Sequence, residues 1–203
     1  MGISVKLTDN RKVYKSVYQV KPGIIEILEI PDLNFLVLER ESIRENLPQG
    51  DPSLTWVTSR IQNQLRWLTS NRMQYNFRLM PDESIWHHRM PSGKWEHTAM
   101  VHLPDQIDHA LFEEAVQNVR NKNKQVDFTA PRFERISQGL CAQKLHFGHY
   151  EETHRTADEI INRLTEQGFR IRGAIREIYL NAASWNPVEK WRTIVRVPIE
   201  QDI

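Results

Sequence analysis

A chain of 203 residues with 39% apolar and 26% charged residues has the composition of an ordinary folded protein rather than a disordered one. Its 27 Lys and Arg against 26 Asp and Glu leave a net charge of +1, which excludes nucleic-acid binding driven by bulk positive charge. Cys141 is the only cysteine, which excludes an internal disulfide and any cysteine-rich zinc site, and no apolar run reaches the ~18–20 residues that span a bilayer. The opening MGISVKLTDNRKVYKS lacks the apolar centre of a signal peptide, and Lys6 breaks the myristoylation pattern, so the expected setting is the cytoplasm. Six Trp point to a large core or an aromatic-lined pocket.

Residues 1–20 are polar and read as an N-terminal arm; residues 21–203 read as one domain. Strand-like runs at 24–30 and 33–40 are separated by the turn signal Pro31-Asp32. After a Pro- and Gly-containing loop at 47–52, Ser53 is placed to cap a helix reaching about Ser70, with Leu54, Val57, Ile61, Leu65 and Leu68 at helical spacing. Short strands are expected at 75–80, around 83–87, and at 94–103, the last two joined by Pro91-Ser92-Gly93.

A similar order then returns. Residues 108–122 read as a helix, 132–136 and 140–147 as strands, and 152–167 as a helix closed by Gly168. Residues 169–180 and 191–199 read as strands. Lys94-Trp95 and Lys190-Trp191 open matched strands that end at Leu103-Pro104 and Val197-Pro198. Each follows a strand bearing an acid, Glu83 in one half and Glu177 in the other. The expected fold class is α+β, built from duplicated strand–helix–strand–strand units (halves 21–106 and 107–203) around a central cleft.

Alternation along residues 169–180 puts Phe169, Ile171, Gly173, Ile175, Glu177 and Tyr179 on one face. Glu177 is the one charge there. A dehydrated carboxylate either attracts a cationic aromatic ligand, acts as a general acid, or pairs with an arginine across the sheet. Glu83 is the equivalent candidate in the first half, with Asp82 beside it suggesting solvent. Trp86, Trp95 and Trp191 read either as pocket walls or as plain core. Tyr150, just past Gly148, is placed to offer a hydroxyl to the same cleft or to pack the strand–helix junction. His146, His149 and His154 match no standard zinc spacing, so no metal or cofactor is expected. Cys141 reads as a buried, inert thiol.

The segments Gly139–Tyr150 (GLCAQKLHFGHY), Arg176–Leu180 (REIYL) and Lys190–Pro198 (KWRTIVRVP) resemble the GyrI-like small-molecule-binding proteins, and more closely their stand-alone members of about 200 residues. Pro81-Asp82-Glu83-Ser84-Ile85-Trp86 matches more loosely; Asp82 stands where relatives carry Leu, Ser84 where they carry Gly, and His87 where a second Trp often follows. His149 stands where Pro is common. The resemblance implies a cleft between halves of a GyrI-like/SOUL-like fold (SHS2 repeats) that binds small aromatic, often cationic molecules. It implies that Glu177 reaches into the cleft with Tyr150 nearby. On this reading Glu177, Tyr150, Tyr179, Glu83, Trp86, Trp95, Trp191 and His146 are the ligand-binding candidates. Some stand-alone relatives are hydrolases that open the cyclopropane ring of DNA-alkylating antibiotics, and for that activity Glu177 and Tyr150 are the catalytic candidates.

Overall fold

A computed structural model of the protein describes residues 6–44, 52–181 and 185–202. The expected loop at 47–52 therefore lies almost wholly outside the described residues, as does the side chain of Leu54. Eleven strands and five α-helices are ordered along the described chain: β1 (Leu7–Thr8), α1 (Asn10–Val13), α2 (Lys15–Tyr18), β2 (Glu26–Ile30), β3 (Leu33–Ser42), α3 (Pro52–Met73), β4 (Asn76–Phe77), β5 (Asp82–Arg89), β6 (Trp95–Leu103), α4 (His109–Lys122), β7 (Arg132–Ile136), β8 (Gly139–Phe147), α5 (Thr153–Thr165), β9 (Phe169–Ile171), β10 (Arg176–Tyr179) and β11 (Arg192–Gln201). The expected strand at 75–80 shrinks to β4, which pairs in parallel with β1.

The main sheet is curled and antiparallel, with order β2-β8-β11-β10-β5-β6-β3-β7. This order is palindromic. The unit β3-α3-β5-β6 and the unit β8-α5-β10-β11 meet where β5 pairs with β10. The leading strand of each half crosses over: β2 pairs with β8 of the second unit, and β7 pairs with β3 of the first.

The helices form where apolar spacing and caps agree. In α3, Val57, Ile61, Leu65 and Leu68 are all buried. The Asp108 carboxylate accepts from Leu111 N at 2.8 Å and starts α4, which buries Leu111, Phe112, Ala115, Val116 and Val119. In α5, Ala157, Ile160 and Leu164 pack on Ala142, Val195 and Val197.

Residues 169–180, expected as one strand, form two. β9 pairs with Ile199–Gln201 and β10 with Thr193–Arg196, so residues 172–175 oppose only residues 197–198. Pro198 has no N–H to give the ladder; instead Arg172 N donates to Pro198 O at 3.1 Å, and a Cβ at Gly173 would lie 3.5 Å from the Pro198 ring. The excursion adds an even number of residues, so side-chain parity survives it. Glu177 and Tyr179 do share a face.

Residues 6–20 carry more structure than their polarity suggests. Val17, Tyr18 and Val20 are buried in the larger core. The Tyr18 hydroxyl donates to Glu83 Oε1 at 3.0 Å, Arg196 Nη2 donates to Val17 O at 2.7 Å, and Gln143 Nε2 donates to Ser16 O at 2.9 Å. Two backbone carbonyls and one phenol here partner buried polar and charged groups, which residue-by-residue hydropathy does not register.

Candidate functional site

Register decides which side chains meet. Residues paired across an antiparallel ladder point to the same side of the sheet. Glu177 pairs with Val195 in β11 and Ser84 in β5, and Val195 packs under α5. On the same side, the chain of pairs Asp82–Val101, Val101–Leu36 and Leu36–Phe133 runs across the first half, and Phe133 meets Phe112 of α4 with ring centroids 5.7 Å apart. Between α4 and α5, this side of β5 and β10 carries Asp82, Ser84, Trp86, Glu177 and Tyr179.

Glu83 pairs with Ile178, one residue out of step, and therefore points through the sheet to the opposite side. There it is fully buried and accepts from Arg176 Nη1 at 3.1 Å and from Tyr18. The expected equivalence of Glu83 and Glu177 does not survive this register: the two acids belong to different environments. Arg196, also fully buried, lies on the Glu83 side, donating to Gln143 and Gln138.

Glu177 is buried, and it is paired. Arg44 Nη2 lies 2.5 Å from its Oε1, with side-chain exposures of 15% for Arg44 and 7% for Glu177. Of the three roles expected for a dehydrated Glu177 carboxylate, the arginine pair is the one formed, and its arginine comes from just past β3 rather than from a strand facing Glu177. Thr153, which opens α5, shares its hydroxyl proton between the same oxygen and Tyr150 O, each 2.7 Å away. Tyr179 donates its hydroxyl to Oε2 at 2.8 Å, and the Trp86 indole N–H is shared between Tyr179 Oη (3.1 Å) and Oε2 (3.2 Å). Burial first, then the charge of Glu177, holds the Tyr179 phenol well above its ordinary range.

Aromatic rings surround this acid. The Arg44 guanidinium lies 5.2 Å from the Trp86 ring and 5.7 Å from the Trp95 ring. Tyr150 is 4.9 Å from Tyr179, and stacks at 4.9 Å on Trp191. Gly148 sits at φ +113°, a backbone state that favours glycine, and turns the chain from β8 toward Tyr150. The Tyr150 hydroxyl has no hydrogen-bond partner among the described residues. Its phenol is pushed up to about 12, first by burial and then by the charges of Glu177 and Asp82, so it is a protonated donor at neutral pH.

Of the residues expected from sequence, the structure gathers Glu177, Tyr179, Tyr150, Trp86, Trp95 and Trp191. It separates Glu83 from them. His146 lies behind the group, with Nδ1 2.8 Å from Thr156 Oγ1 and Nε2 3.1 Å from His149 O; burial is the main force lowering its pKa. His154 Nδ1 is engaged by Glu151 O. Among the described residues, no three His, Cys, Asp or Glu side chains are grouped to hold a metal ion. No described helix is long and apolar enough to cross a membrane. Cys141 is buried, and burial raises its thiol.

Sequence reasoning missed Arg44 and Thr153. Arg44 lies just beyond β3 in a charged stretch, and nothing local marks its partner 133 residues away. Thr153 had a usable signal: a hydroxyl three residues after Tyr150, at the start of a helix, is placed to bond back to the chain and to whatever faces that helix end.

Residues 24–200 match the family described as the GyrI-like small molecule binding domain. No curated protein matches the chain. Among solved structures, an uncharacterized conserved protein from Listeria innocua has 24% identity and a TM-score of 0.81 over 96% of this chain and 100% of its own. A hydrolase from Listeria innocua has 23% identity and a TM-score of 0.81 over the same shares. The C-terminal domain of EcmrR has 13% identity and a TM-score of 0.54 over 88% of this chain and 98% of its own. At these identities the likeness is one of fold.

Proposed function

Since the chain belongs to the GyrI-like small molecule binding domain family, we propose that the side of β5 and β10 lying between α4 and α5 is a cleft for small aromatic compounds, cationic and amphipathic ones included. The observation that carries this reading is the ring set itself: Trp86, Trp95, Tyr150, Tyr179 and Trp191 assembled around one buried ion pair. Flat guests gain from such walls through area burial and offset stacking. Glu177 organises the walls, because its oxygens hold Arg44, Thr153, Tyr179 and Trp86 in fixed positions. The near-neutral net charge supports small molecules rather than nucleic acid as partners, and the cytoplasm is the proposed setting.

A second reading is favoured by Tyr150. A protonated, unpartnered phenol in the same ring set is equipped to donate to an oxygen that gains negative charge. That is what hydrolytic opening of a cyclopropane conjugated to an aromatic ketone requires. A fold shared with a protein described as a hydrolase supports this option.

Trp fluorescence titration with rhodamine 6G and with a neutral polycyclic aromatic tests the binding reading. Saturable quenching by at least one supports it, and none by either overturns it. Mass analysis of a cyclopropane-bearing alkylator after incubation tests hydrolysis. A product heavier by one water supports the enzyme, and an intact compound overturns it.

A further inference from the structure

Among the acids on the ring-bearing side, Glu177 is already engaged at both oxygens. Arg44 and Thr153 occupy Oε1, while Tyr179 and the shared Trp86 N–H occupy Oε2. An incoming cation would have to displace Arg44, a guanidinium already seated over two indoles. Asp82 is different. It begins β5, alternates with Ser84 and Trp86, and so faces the same side as Glu177. By continuing the β5–β10 register past Ile178–Glu83, it stands across from Tyr179. Its side chain is exposed, and its carboxylate has no hydrogen bond or ion pair among the described residues.

We infer that Asp82, and not Glu177, is the acid that meets the positive group of a cationic aromatic ligand, so that this residue sets the preference for cations over neutral guests of the same shape. The inference rests on the binding reading above and refines it: rings hold the flat body, and Asp82 holds the charge.

Two further facts agree with that role. The charge of Asp82 adds to that of Glu177 in raising the Tyr150 phenol. Although open to solvent, Asp82 is crowded by enough protein to lose part of its bulk hydration, and this, with the charge of Glu83, pushes it up to about 6. Partial dehydration also makes its attraction for a large, weakly hydrated organic cation stronger than that of an acid on a convex surface.

The experiment titrates the full chain, by Trp fluorescence, with benzyltriphenylphosphonium and with neutral triphenylphosphine oxide. The wild-type protein is compared with Asp82→Asn and Asp82→Ala, each checked for an unchanged melting curve. The expected result is a loss of about tenfold in affinity for the phosphonium with less than twofold change for the oxide. Asp82→Glu is expected to recover much of the phosphonium affinity. An unchanged phosphonium-to-oxide ratio in both Asp82 variants overturns the role of Asp82 while leaving the binding reading intact. If neither probe binds the wild-type chain, the binding reading fails and this inference falls with it.

Discussion

Arg44 and Glu177 are 133 residues apart in the chain and 2.5 Å apart in space. Neither side chain is free to change alone. Removing one charge leaves the other dehydrated and unpaired, which costs more than the intact pair contributes. Glu177→Gln is expected to destabilise the fold by roughly 3 kcal/mol, and Arg44→Gln by a similar amount. The double variant is expected to lose clearly less than the sum. Urea unfolding of the four proteins gives the coupling energy; simple additivity would show that the pair is not energetically linked.

His102 supplies a pH dependence. It stacks at 5.7 Å on Tyr18 and lies near Tyr14 and Phe35, with neither ring nitrogen bonded. Burial is the main cause that lowers its pKa to about 4, against 6.5 for the ordinary side chain. Between those values the unfolded chain binds the proton and the folded one does not, so stability falls as pH falls from about 6.5 to about 4. The full loss from this residue is about 3 kcal/mol. His102→Phe is expected to flatten that part of the stability curve. An acid limb of equal slope in wild type and variant would assign it to other groups.

The N-terminal segment is expected to be indispensable. Without residues 1–20, Arg196 loses the Val17 carbonyl, Gln143 loses that of Ser16, and Glu83 loses the Tyr18 hydroxyl. Buried polar groups stripped of partners cost about 1–3 kcal/mol each. The truncated chain is expected to melt at least about 10 °C lower or to lose cooperative unfolding. Differential scanning calorimetry reads either result, and an unchanged melting temperature would reduce the segment to an accessory.

Gly148 controls the approach to Tyr150. At φ +113° a Cβ is strained whatever the space around it. Gly148→Ala is expected to destabilise by about 1–2 kcal/mol and to weaken quenching by aromatic probes, because the Tyr150 ring shifts from its stack on Trp191. Preserved probe affinity in the variant would separate the turn from the site.

Local pattern made much of this legible. The spacing of Val57, Ile61, Leu65 and Leu68 located α3, and the alternation from Phe169 to Tyr179 put Glu177 and Tyr179 on one face despite the break at Gly173 and Pro198. Comparison of the two halves misled at Glu83, since matching it to Glu177 ignores a one-residue difference in pairing that turns the side chain through the sheet. Hydropathy misled at Tyr18, whose worth lies in a partner 65 residues away. Arg44 was out of reach for the same reason. Long-range pairing of charges leaves no trace in neighbouring residues.

The exchange of leading strands between the two units, β2 onto β8 and β7 onto β3, has a consequence for how the chain is made. Neither unit can complete its own hydrogen-bonded edge until the other has been synthesised, so a ribosome-bound first unit would wait with β3 unmatched on one flank. Folding should be slow and all-or-none, and separately expressed halves should gain structure only when mixed.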